Sequence, residues 1–172
     1  FPTACAYICE HPCEARCRRR MVDDAVNIRA LKRYAVDSAG DVPQPACAPA
    51  TGKKVAVIGG GPGGLSAAYY LALMGHRVTV FEQRRQLGGM LRYGIPDYRF
   101  PRKLLEAEIG SILSLGIQVH TGVNVGHDIT FDQLKAEYDC LYIAIGAHTD
   151  KKTGIPGEDS RNVISAVELL RG

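Results

Sequence analysis

The stretch VAVIGGGPGGLSAAYYLALMGHRVTVFE, residues 55–82, decides the reading of this chain. It opens with Val55–Ile58, an all-apolar run of the kind that forms a strand buried on both faces. Glycines at 59, 60, 61, 63 and 64 follow and satisfy G-x-G-x-x-G. The spacing then predicts a helix over Gly64–Met74 closing at Gly75, and a second strand over Arg77–Phe81. Glu82 ends that strand, 23 positions after Gly59. A glycine turn between a strand and a helix, with an acid at this distance, is the context that makes the pattern specific for a dinucleotide. Gly59 permits the tight turn, Gly61 lets a pyrophosphate approach the backbone, and Gly64 lets helix pack on strand. The helix N-terminus offers free N–H groups and a positive dipole end to phosphates. A carboxylate at Glu82 can accept hydrogen bonds from ribose hydroxyls and would repel a 2′-phosphate, which disfavours NADP here. The bland alternative, a structural turn beside a solvated strand end, needs strand, glycines, helix and acid to fall in register by chance.

The rest of the composition agrees with a folded α/β chain. The 172 residues leave room for one domain plus a small appendage, and 46% hydrophobic with 23% charged residues excludes a disordered tail. A net charge of +3 is too mild to argue for nucleic acid. Val55–Gly75 carries no charge and has the length of a membrane span. Its six glycines and Pro62 rule against one continuous helix, since each Gly costs about 1 kcal/mol and the Pro about 3 kcal/mol. No membrane partner is expected.

Three regions follow from the pattern: a Cys-rich basic segment over 1–37, a Pro/Gly linker over 38–53, and a domain over 54–172 in which strands and helices alternate. In the first, Asp23 or Asp24 is the expected cap of a helix whose apolar stripe is Val26, Ala30, Leu31, Tyr34 and Ala35. In the last, further strands are expected at Ile117–His120 and Leu141–Ile145, with a helix starting at Pro101. Thr130 with Gln133 and Ser165 with Glu168 read as capping boxes. Alternation of this kind predicts a parallel sheet with helices on both faces.

After the acid come Gln86-Leu-Gly88-Gly89-Met-Leu, with two more glycines suited to backbone wrapping around an extended ligand, and then Tyr93-Gly94-Ile95-Pro96. A plain surface loop is the competing reading. Here a resemblance becomes specific. The strings VAVIGGGPGGLSAAYYLALMGHRVTVFE, LGGMLRYGIPDYRFPRKLL and AIGA (144–147) resemble the FAD-binding half of the glutamate synthase small subunit family, which includes the N-terminal part of dihydropyrimidine dehydrogenase. The resemblance implies a Rossmann-like FAD-binding domain preceded by a small helical Fe–S segment. It implies cofactor contacts at Gly59, Gly61, Pro62, Gly63, Glu82, Gly88, Gly89, Met90, Leu91, Val125 and Gly146.

Cys5, Cys9, Cys13 and Cys17 recur every four residues. A continuous helix would spread them over about 18 Å, too far for one metal centre. Pro12 breaks the run, so Cys13 and Cys17 are expected on one helical face and Cys5 and Cys9 on the loop before it. Dense cysteines beside a dinucleotide fold point to Fe–S ligation ahead of zinc, with free buried thiols as the bland alternative. The string CAYICEHPCEARCRR resembles the second cysteine group of the family's Fe–S domain, where an earlier group supplies further ligands to two [4Fe–4S] clusters. This chain has no earlier group, has Ala6 where many relatives have Gly, and has Lys32 near the place of a non-Cys ligand. Arg16, Arg18, Arg19 and Arg20 could offset thiolate charge, dock an acidic partner, or form a solvated face. Cys140 reads as a small buried hydrophobe, and Cys47 as structural.

The five histidines show no metal spacing and no catalytic residue is assigned. Only one glycine fingerprint is present, so an NAD(P)H-binding domain is expected outside this chain, which starts at Phe1 and reads as a piece of a longer protein. The resemblance implies an oxidoreductase subunit that passes electrons from NAD(P)H through FAD to [4Fe–4S] clusters and a partner subunit or downstream domain. This piece alone is expected to be inactive. Two other readings stay open: an NAD-binding dehydrogenase domain with a zinc-stabilised N-terminal arm, and a non-catalytic fragment. The lack of a signal-peptide pattern favours the cytoplasm.

Overall fold

Burial on both faces makes β1 (Lys54–Ile58) and β2 (Arg77–Glu82) the centre of the sheet, as their apolar runs require. A computed structural model describes residues 1–171. β3 (Gln118–Thr121) and β4 (Cys140–Ile143) flank them in the order β3-β2-β1-β4, and every pairing is parallel. Helix α4 (Pro62–Leu73) joins β1 to β2, α5 (Met90–Tyr93) and α6 (Arg102–Leu113) lie between β2 and β3, and α7 (Phe131–Glu137) leads into β4. Alternate strand residues face opposite layers. Val57, Val78 and Val80 pack with Leu65 and Ala68 of α4 and with Leu105 and Ile109 of α6. Ala56, Ile58 and Phe81 pack with Leu134 of α7. The sheet is therefore covered by helices on both faces.

Local signals set the element ends. Gly75 closes α4 in a Schellman arrangement: its N–H donates to Ala72 O at 2.9 Å and the His76 N–H to Leu71 O at 3.1 Å. Thr130 and Gln133 form the full capping box of α7. At Ser165 only half of the expected box forms. Its Oγ accepts from Val167 and Glu168 N–H groups ahead of the final helix α8 (Ala166–Arg171), and no bond returns to Glu168 among the described residues. Pro101 is the N-cap of α6 rather than its first residue. β4 ends at Ile143, two residues before the expected end.

The N-terminal segment departs most from expectation. It forms α1 (Pro2–Ile8), α2 (Pro12–Ala15), a 3₁₀ turn (Arg18–Met21) and α3 (Ile28–Ser38). The cap of α3 is Asn27, whose side chain accepts from Ala30 N–H, while Asp23 pairs with Arg19. The anticipated stripe faces outward, with Leu31 59% and Tyr34 73% exposed. Tyr7 of α1 meets α3 on another side: its ring carries the Arg33 guanidinium at 3.2 Å and its hydroxyl donates to Asp37 at 2.9 Å, both partners still solvent-exposed. Helix α1 itself joins the main core through Ala4, and Glu108 of α6 accepts from the Thr3 N–H at 2.7 Å.

At the start of the sheet, Asp139 accepts from the Lys54 N–H at 2.8 Å and from Lys53 Nζ at 2.9 Å. The Lys54 N–H, then the Lys53 ammonium, hold its carboxyl below the ordinary value of 3.8. A depressed folded value means that this clamp stabilises fully above the unfolded pKa and fades as pH falls through the lower folded value. Asp139→Asn is expected to flatten the acid limb of stability below about pH 4. Urea midpoints measured across that range check it; an unchanged acid limb contradicts it. Separately, Thr130→Ala should lower stability by about 1 kcal/mol through loss of the cap, read by the same urea method.

Candidate functional site

The strand order reverses at β1: the chain moves outward to β2 and β3, then returns to the other side of β1 as β4. Parallel sheets bind ligands beyond the carboxyl ends of strands at such a switch point. A cleft of about 700 Å³ opens there, within the range of small-molecule sites. Its floor is the glycine turn that follows β1. Gly59 sits at φ +111°, and a Cβ on it would lie 2.3 Å from Ala144 O, so only glycine lets β1 and the end of β4 meet. A Cβ on Gly64 would come 1.9 Å from Gly59 O, which makes this contact the tightest point of the strand-to-helix turn. Gly61 is the N-cap of α4, Pro62 takes the first helical position, and no side chain caps this end. Gly61, Pro62 and Gly63 line the cleft, so the uncapped start of the helix borders it.

Glu82 is 6% exposed and braces this floor. Its Oε2 accepts from the Gly60 N–H at 2.7 Å and its Oε1 from the Arg84 N–H at 2.8 Å. Each carboxylate oxygen can accept a further bond, so the ribose role expected from sequence is compatible with the bracing role, which the sequence did not reveal.

Of the eleven expected cofactor residues, Gly59, Gly61, Pro62, Gly63, Glu82, Gly89, Met90, Val125 and Gly146 line the cleft. Gly88 and Leu91 do not. Gly88 is buried behind the wall and donates its N–H to Gly60 O at 2.8 Å, while Leu91 packs against the core. The cleft also gathers Phe81, Asn124, Tyr142 and His148, which sequence reasoning did not single out. Their position at and just beyond the carboxyl end of β4, the strand across the switch point, is the signal that could have found the last two. The His148 ring lies on the cleft, and its Nδ1 is buried without a hydrogen-bond partner.

The cysteine segment is arranged otherwise than expected. Cys5 lies within α1 and not on a loop. Helix α2 stops at Ala15, so Cys13 and Cys17 do not share a helical face. His11, before Pro12, is left-handed, and a 3₁₀ turn follows Cys17, so the backbone is not one regular helix through the four cysteines. Among the described residues no three His, Cys, Asp or Glu side chains come together as a metal-holding group. The N–H groups of Val26, Arg19 and Arg20 hold the Cys17 thiol below its ordinary value. Cys140 is exposed at the edge of β4 and is not the buried hydrophobe expected. Lys32 Nζ donates to Cys5 O at 3.4 Å.

Comparison with known proteins fits this geometry. The NAD(P)-binding Rossmann-like domain family matches residues 57–129. The chain is 45% identical to the NADPH-Fe(3+) oxidoreductase subunit beta of Geobacter sulfurreducens, over 92% of this chain and 24% of that protein. It is 38% identical to the glutamate synthase [NADPH] small chain of Mycobacterium tuberculosis, over 99% of this chain and 36% of that one. It thus spans about a quarter to a third of these relatives. The solved structure of Mycobacterium tuberculosis FprA in complex with NADPH superposes with a TM-score of 0.62 at 24% identity, over 72% of this chain and 28% of FprA, and shows the same fold. The chain is thus similar in sequence to glutamate synthase small chains and to NADPH-Fe(3+) oxidoreductase beta subunits, and its fold is Rossmann-like.

Proposed function

We propose that this chain is the FAD-holding portion of an NAD(P)H-dependent oxidoreductase subunit that works with a partner subunit or further domain. The observation that carries the reading is the cleft at the switch point, with the glycine turn, Glu82, Gly89 and Met90 on its walls. The residues fit a dinucleotide. A Cβ at Gly63 would meet nothing within 4 Å, and one at Gly61 would meet only Gly89 Cα at 3.7 Å, so open space lies where a pyrophosphate would pass. Bound FAD supplies the conversion between hydride and single-electron transfer. The chain's own residues bind and orient: α4 offers N–H groups to the pyrophosphate, Glu82 offers lone pairs to the ribose, and Gly89 and Met90 flank the remainder.

Among the described residues the cysteines do not come together as a closed donor set, so no electron path is routed through a [4Fe–4S] centre made from these residues alone. A donor set completed by a second cysteine group, as the family resemblance implies, would accommodate their open arrangement. The same geometry gives no support to a zinc-stabilised arm. No helix among the described residues is long and apolar enough to cross a membrane.

One observation favours a second reading: the matching family is described as NAD(P)-binding, so the cleft could hold NAD directly. Titration of the chain with FAD and with NAD separates the two. The proposal expects quenched flavin fluorescence and FAD affinity at least about tenfold above NAD affinity; NAD binding with no flavin binding would favour the alternative. Gly61→Ala adds the test of place. The fold has room for that methyl group, so the melting temperature should move by no more than about 2 °C, while FAD affinity falls about tenfold or more. Retained affinity would put the ligand elsewhere.

A further inference from the structure

Besides Glu82, Arg92 is the buried charged side chain among the described residues, 7% exposed on α5, and the dinucleotide reading does not use it. A guanidinium out of water needs its donors matched. Here Nε donates to Leu87 O, Nη1 to Gln86 Oε1 at 3.4 Å, and Nη2 pairs with Glu106 Oε1 on α6. The Leu87 carbonyl immediately precedes Gly88 and Gly89, the second glycine pair. A Cβ on Gly88 would lie 3.2 Å from Arg92 Cβ, so the arginine sits directly behind that wall. In front, the wall presses on the first turn. Gly89 adopts φ +51°, and a Cβ on it would come 2.7 Å from Gly61 Cα. Arg102 at the start of α6 fixes the far end of the same loop, donating to Leu91 O at 3.1 Å and to Ile95 O at 2.8 Å. Helix α6 is itself anchored in the core by Leu105 and Ile109.

We infer that Arg92 is a positioning residue that sets the second wall of the cleft and so selects an extended flavin dinucleotide over its ADP part. The inference rests on the reading of the cleft as an FAD site. The ADP part meets the first turn and Glu82, whereas the flavin end needs the Gly89–Met90 wall in register. A lysine cannot replace the planar fork, because one ammonium cannot serve Leu87 O, Gln86 and Glu106 in their fixed directions.

The test titrates the full 172-residue chain with FAD, by flavin fluorescence, and with ADP, by calorimetry. Arg92→Lys is expected to weaken FAD about tenfold and leave ADP within about twofold, with an altered visible spectrum of the flavin that still binds. Glu106→Gln, an exposed change that keeps an acceptor, is expected to weaken FAD about threefold with ADP unchanged. A merely structural role would lower both affinities together with the melting temperature. Equal loss of FAD and ADP, or unchanged FAD affinity in Arg92→Lys, overturns the inference and leaves the FAD site standing. An unaltered chain that takes ADP but not FAD overturns the FAD reading and the inference with it.

Discussion

The Glu82 carboxylate and the Gly60 N–H, 2.7 Å apart in a buried setting, form the contact on which the rest of the site depends. It joins the end of β2 to the turn after β1, the two strands at the centre of the sheet. A buried carboxylate without donors would be costly, and a buried turn with unpaired N–H groups equally so. Each satisfies the other here, and the Arg84 N–H takes the second oxygen. The turn is thereby held in the one conformation that also lets Gly64 press against Gly59 and Gly59 against Ala144. Binding geometry and core packing are thus one constraint at this point.

From that floor the cleft is built outward by backbone rather than by long side chains. The second glycine loop rests on the first through the Gly88 N–H to Gly60 O bond, and α6 supports the loop from behind. The far wall is the segment after β4, present because the strand order reverses at β1. Walls made of backbone approach a phosphate chain closely and carry little charge of their own, which suits a ligand that brings its own redox chemistry.

Much of this was legible in the sequence where the signal is local and steric. The strand–glycine–helix–acid register of residues 55–82 has few physical solutions, so β1, α4, β2 and the floor of the cleft could be read directly. The α7 capping box is equally local. What could not be read depends on partners distant in sequence. Helix α3 meets α1 through Tyr7 with Arg33 and Asp37 rather than through its apolar stripe, and no periodicity within 28–38 contains that fact. The cysteine spacing is regular, yet the left-handed residue at His11 and the end of α2 at Ala15 break the regularity in space. Tyr142 and His148 reach the cleft through sheet topology, and Arg92 is buried through contacts with α6 that sequence alone does not show.

The central claim is that Glu82 receives the ribose of a dinucleotide without a 2′-phosphate at the switch-point cleft. Calorimetry of the chain with ADP and with 2′-phospho-ADP tests it most directly, since the two ligands differ only by the phosphate carried on that ribose oxygen. The account predicts that ADP binds at least about tenfold more tightly, because a second anion would face the buried carboxylate. Equal affinities, or a preference for 2′-phospho-ADP, would contradict it.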